Sequence, residues 1–149
     1  MTPSTKSSSS SIAAKTILLV DDDPDIREIV RIVLEGQGTT ILEASSGVEG
    51  LHLAKEKMPN LIILDWMMPG MEGIEVAREL QRDTETGSIP VIMLTSRDAD
   101  ADFEQSRQVG VFAYLVKPFS PLQLVNTVES ALEAGGSVYS LREELSSGE

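Results

Sequence analysis

Four short apolar runs, each closed by a residue that carries chemistry, constrain this chain more than any other feature. They are Ile17–Val20 before Asp21-Asp22, Leu61–Leu64 before Asp65, Val91–Leu94 before Thr95, and Tyr114–Val116 before Lys117. Unbroken apolar runs of this length, separated by helix-like segments, read as strands of a parallel sheet buried on both faces. Parallel strands all end on one edge, where α/β proteins place their sites. Three carboxylates, a hydroxyl and an ammonium are therefore predicted to converge from positions 21 to 117. Such a set suits a divalent metal and a phosphoryl group.

The helix signals alternate with these strands. Asp23-Pro24 is an N-cap followed by proline at the first helical position, with a stripe of Ile26, Ile29, Val30, Val33 and Leu34 behind it. Gly36-Gln37-Gly38 ends that helix, and a second strand follows at Thr39–Ala44. Ser46 and Glu49 form a capping box that opens the second helix, which stops before Pro59. After the loop Pro69–Gly73, the residues Ile74, Ala77 and Leu80 mark a third helix. Asp98 to Gln108 reads as a fourth, with Gly110 just beyond it. Ser120-Pro121 opens a fifth, whose stripe is Leu122, Leu124, Val125, Val128 and Leu132, closed by Gly135-Gly136. Five βα units predict an α/β fold. The expected form is a five-stranded parallel doubly wound sheet, flavodoxin-like (βα)5, strand order 2-1-3-4-5.

The length of 149 residues suits one domain with tails. Residues 1–14 read as a disordered Ser-rich N-terminal tail and 15–135 as the folded domain. Residues 136–149, with Val138, Leu141 and Leu145 on one helical face, read as a C-terminal tail or the start of a linker helix.

Composition removes several functions. The chain has no cysteine, which excludes disulfides, thiolate catalysis and cysteine zinc sites. His52, the single histidine, cannot build a histidine-rich metal site and reads as a surface residue of the second helix. The 24 acidic and 12 basic residues leave a net charge of −12, which disfavours direct nucleic-acid binding or an anionic membrane surface. No apolar stretch approaches the ~20 residues of a membrane span, and the N-terminus lacks a signal-peptide core. A cytoplasmic protein is expected.

The loop after the first strand is Asp21-Asp22-Asp23-Pro24, where a nucleotide or flavin site of this fold would carry glycines. It repels phosphate and attracts a hard cation, whose preference is for oxygen ligands such as Asp22 and Asp65. Asp23 reads as a cap only. Asp65 is the candidate nucleophile, since a carboxylate can form an acyl phosphate. Lys117 and the Thr95 hydroxyl can reach the oxygens of a group placed there. A haloacid-dehalogenase-type phosphatase would need a second aspartate two residues after the nucleophile, and that position is Met67.

The segments ILLVDDDP (17–24), LIILDWMMPGMEG (61–73), VIMLTS (91–96) and YLVKPF (114–119) together resemble the receiver domain of two-component response regulators. The resemblance implies that Asp65 is the phosphoacceptor and Asp22 a direct Mg²⁺ ligand. It also implies that Asp21 supports the ion through water and that the Met67 backbone carbonyl adds a ligand. Thr95 and Lys117 would contact the phosphoryl group, and Thr95 with Tyr114 would form the switch. The Lys117-Pro118 bond is expected to be cis. The implied donor is a phosphohistidine on a sensor histidine kinase or histidine phosphotransfer protein, and the responding surface is the fourth helix, fifth strand and fifth helix. Output would pass to a downstream protein target or an output domain elsewhere. The fifth helix carries no lysine or arginine, unlike the charged pairs by which DNA-binding relatives commonly dimerise. By the same resemblance Met67 and Arg97 would flank the route of attacking water, and they are expected to lengthen the phosphoryl lifetime. A phosphate-independent interaction module is the alternative.

Overall fold

The computed structural model describes residues 12–96 and 109–134. The elements run β1 (Thr16–Val20), α1 (Pro24–Glu35), β2 (Thr40–Ala44), α2 (Gly47–Lys57), β3 (Leu61–Asp65), α3 (Gly73–Arg82), β4 (Val91–Ser96), β5 (Ala113–Lys117) and α4 (Pro121–Ala134). All strand pairs are parallel and their order is β2-β1-β3-β4-β5, as the alternation predicts. The helix α4 is the fifth expected helical segment. The fourth, Asp98–Gln108, lies outside the described residues, as do the Gly135-Gly136 stop and most of both tails.

Alternation along each strand divides the core into two layers. Leu18, Val20, Ile62, Leu64 and Met93 face Ala54 of α2 and Ile74, Ala77 and Leu80 of α3. Ile17, Leu19, Leu61, Ile63, Ile92 and Leu94 face Val30 and Leu34 of α1 and Leu124, Val128 and Ala131 of α4. Both strand faces are covered, which explains why the runs show no polar alternation. Each fully buried Leu or Ile contributes about 1.5–3 kcal/mol relative to exposure.

Local chemistry starts and stops the helices. The Asp23 carboxylate accepts from the Asp25 N–H at 2.9 Å, capping α1. Ser46 Oγ accepts from the Glu49 N–H at 3.2 Å, but Glu49 turns back onto the N–H of Ser45 rather than Ser46. The box therefore closes one residue earlier than expected. At α4, Ser120 and Gln123 exchange both bonds, at 3.0 and 2.8 Å. The helix α2 ends on Met58, in the left-handed region with φ 46°, just before Pro59.

Three apolar positions depart from expectation. Ile12 is fully buried, and its carbonyl accepts from the buried Thr39 hydroxyl at 3.2 Å. The chain thus joins the core three residues before Lys15, and the Ala14 N–H donates to the Gly38 carbonyl. Ile29 and Leu122, expected on the packed stripes, are 50% and 69% exposed. The buried stripe of each helix is narrower than the apolar pattern implies, because the sheet covers only part of the helix circumference.

Gly73 sets the approach of α3 to the end of β3. Its N–H donates to the Trp66 carbonyl at 2.9 Å, and a Cβ here would collide with the Asp65 backbone carbonyl. Either the strand end or the helix start must then shift. Gly73→Ala is expected to cost about 1–3 kcal/mol. Urea unfolding monitored by circular dichroism checks this, and an unchanged midpoint would mean that the loop relaxes freely.

Candidate functional site

The strand register brings the chemistry-bearing residues together. Val20 pairs with Leu64, Asp65 with Leu94, and Ser96 with Lys117, so the residues after β1 and at the ends of β3, β4 and β5 share one edge. One carboxylate oxygen from each of Asp21, Asp22 and Asp65 lies within 4.8 Å of the other two. Asp21 and Asp65 are buried and Asp22 is exposed. Lys117 Nζ donates to Asp65 Oδ1 at 3.1 Å and to Asp21 Oδ2 at 3.4 Å. A cleft of about 460 Å³ opens there, lined by Asp22, Asp65, Trp66, Met67, Ser96 and Lys117 among others.

Asp21 is held at every polar group. Its N–H donates to the Ala44 carbonyl at 3.1 Å, and its Oδ1 accepts from the Asp23 N–H at 2.9 Å. Its own carbonyl accepts from Arg27 Nη1 at 2.7 Å. The Asp22 side chain makes no hydrogen bond or ion pair among the described residues. Asp21 is therefore a fixed charge at the cleft floor, and Asp22 a carboxylate available to an incoming ion.

Burial and the adjacent Asp21 charge push Asp65 up from 3.8 to about 6, against the pull of Lys117. Burial alone would lower the Lys117 ammonium, but Asp65 and Asp21 beside it hold it above the usual lysine value. One ammonium faces three carboxylates, so the cluster carries excess negative charge. Its donors are all oxygens, which suits a hard divalent cation. Thr95 adds a second unmet requirement. Its Oγ1 is buried without a hydrogen-bond partner among the described residues, an arrangement that costs about 1–3 kcal/mol.

The other candidates are placed as follows. Met67 lines the cleft from the loop after β3, with its side chain 63% exposed. Tyr114 is half-buried on β5 and packs against the α2–α3 layer, outside the acidic cluster. Lys117-Pro118 is cis. His52 stands on the surface of α2 near Glu56. Arg97 lies outside the described residues. Arg27 and its partner Glu43 are the site neighbours that sequence reasoning missed. No motif marks them, and their contact depends on β2 lying beside β1.

The sequence profile of the response regulator receiver domain matches residues 17–129. The chain belongs to the response regulator receiver family. This receiver is 42% identical over 125 residues to the phosphate regulon transcriptional regulatory protein PhoB of Pseudomonas aeruginosa. That match covers 84% of this chain and 55% of the relative. It is 35% identical over 116 residues to protein PilH of the same organism, covering 78% of this chain and 96% of that one. The chain thus spans about half the length of the PhoB relative and nearly all of PilH. Among solved structures, the chemotaxis protein CheY4 of Vibrio cholerae superposes with a TM-score of 0.76 at 32% identity, covering 80% of this receiver and all of that chain. No helix among the described residues is long and apolar enough to cross a membrane.

Proposed function

We propose that this receiver takes a phosphoryl group onto Asp65 from a phosphohistidine of a partner kinase or phosphotransfer protein. The observation that carries this reading is the arrangement of Asp65. It clusters with Asp21 and Asp22 and accepts from Lys117, which also reaches Asp21, and the Thr95 hydroxyl, without a partner among the described residues, lies one strand away. With a value of about 6, Asp65 is mostly ionised at neutral pH, so a carboxylate oxygen is available to attack. As its bond to phosphorus forms, the phosphorus–nitrogen bond breaks and the histidine nitrogen keeps the electron pair.

Asp21, Asp22, Asp65 and the Met67 backbone carbonyl would hold Mg²⁺, which neutralises charge on the phosphoryl oxygens. Lys117 shifts from Asp65 to one phosphoryl oxygen, and the Thr95 hydroxyl donates to another. That donation satisfies a buried group that lacks an acceptor among the described residues, and so favours the conformation in which Thr95 closes over the phosphate. Tyr114 on β5 then turns inward. The altered surface, β5 with α4 and the segment before β5, controls a downstream protein target.

Trp66 provides the test, since it follows Asp65 directly and is 4% exposed. Its fluorescence is expected to change on adding Mg²⁺. A small acyl phosphate should then add one phosphoryl group by intact mass, only when Mg²⁺ is present. If neither response occurs, with a phosphohistidine protein also tried as donor, the chain is a binding module that works without phosphate.

A further inference from the structure

We infer that Arg27, braced by Glu43, is a positioning residue that sets the acidic loop in place for the cation. The inference rests on the proposed metal site and extends it to residues that never touch the ion.

Arg27 lies on α1, six residues after Asp21 and just beyond the loop that Asp21 and Asp22 occupy. Its Nη1 donates to the Asp21 carbonyl at 2.7 Å, while its Nε donates to Glu43 Oε1 at 2.9 Å. The other Glu43 oxygen is taken by Arg31 Nε at 3.0 Å. Glu43 is on β2, the edge strand beside β1, one residue before the Ala44 carbonyl that receives the Asp21 N–H. The peptide groups on both sides of the Asp21 Cα are thus tied down, one by β2 directly and one by β2 through Arg27. Asp21 itself is fully buried, and the Arg27 side chain is only 20% exposed.

The alternative is an ordinary surface ion pair, which contributes about 0–1 kcal/mol and no more. Two observations separate Arg27 from that case. Its bond to the Asp21 carbonyl is not an ion pair, and it lands on the residue that forms the floor of the cluster. A planar guanidinium holds two acceptors in fixed directions at once, whereas a lysine ammonium on a flexible stem does not. Outer groups that orient metal ligands matter for affinity without changing the ligand set. The charge of Arg27 acts in the opposite sense, since a cation beside the cluster repels a second one. Positioning and charge therefore predict different results.

Arg27→Lys keeps the charge and breaks the two-point grip. The full chain is titrated with Mg²⁺ alone, following Trp66 fluorescence, and its metal-free thermal melt is recorded. The midpoint is expected to rise about tenfold. Phosphoryl uptake should reach the wild-type extent once Mg²⁺ is saturating, because the reacting groups are unchanged. An unchanged Mg²⁺ midpoint in a folded Arg27→Lys protein overturns the inference, and Arg27 is then a surface ion pair. A wild-type protein that shows no Mg²⁺ response overturns the metal-site reading itself, and this inference with it. Should Arg27→Lys fail to fold, Glu43→Gln is read the same way. It leaves the arginine in place but loosens its brace, so a weaker Mg²⁺ midpoint supports the inference and no change refutes it.

Discussion

Asp65→Asn is expected to abolish phosphoryl uptake entirely while making the metal-free protein more stable at neutral pH. The first effect is the loss of the attacking oxygen, since an amide does not form the acyl phosphate. The second follows from the raised value of Asp65. In the unfolded chain this carboxyl titrates near 3.8, and in the folded state near 6. Below about pH 4 both states hold the proton and the site adds no penalty. Between about pH 4 and 6 the unfolded chain ionises while the folded one resists, so stability falls as pH rises, and above about 6 the penalty is constant. A shift of this size corresponds to about 3 kcal/mol at about 1.4 kcal/mol per unit. The pull of Lys117 is already contained in that value, so a gain of up to about 3 kcal/mol at pH 7 is expected. The gain should disappear by about pH 4. Intact mass reads the first effect and urea unfolding at both pH values reads the second. Equal stability of the two proteins at pH 7 would show that Lys117 compensates Asp65 fully.

Lys117→Met should move two properties in opposite directions. Without the ammonium, Asp65 and Asp21 lose their only neutralising partner in the cleft among the described residues. The Asp65 value then rises above about 6, and the cluster becomes more negative. Mg²⁺ should bind more tightly, because no fixed cation competes for the same oxygens. Phosphoryl transfer should nevertheless slow by about 10²-fold, since a donor aimed at the developing charge is gone. The Trp66 titration gives the affinity and a mass time course at saturating Mg²⁺ gives the rate. A rate equal to wild type would remove Lys117 from contact with the phosphoryl group. Affinity and rate falling together would instead indicate a collapsed site.

How much of this was legible beforehand differs from residue to residue. The convergence of Asp21, Asp22, Asp65, Thr95 and Lys117 could be read in advance, because parallel strands joined by helices must all end on one edge. The caps at Asp23, Ser46 and Ser120 were legible too, since each depends on neighbours two or three positions away. Ile12 was not, because its burial depends on the gap between β1 and the turn after α1, a distance no local pattern records. The exposure of Ile29 and Leu122 was not legible either, for a related reason. Helical periodicity says which residues share a face, but not how wide a strip of that face the sheet covers. Arg27 and Glu43 carry no local signal, and only the pairing of β1 with β2 brings them together under the Asp21 carbonyl.

The chain's own order of apolar runs, caps and glycines was enough to specify five strands, the four described helices and the chemical types at the strand ends. Those features follow from interactions between near neighbours and from the requirement to bury apolar surface. Packing alone decided the rest. It determined that, among the described residues, Asp21 is committed while Asp22 is open and Thr95 lacks a partner, that Asp65 is held near 6, and that Arg27 grips the loop. Charge and hydrogen-bond energies depend on separations of a few ångströms and on exclusion of water. Both arise only when segments distant in sequence are pressed together.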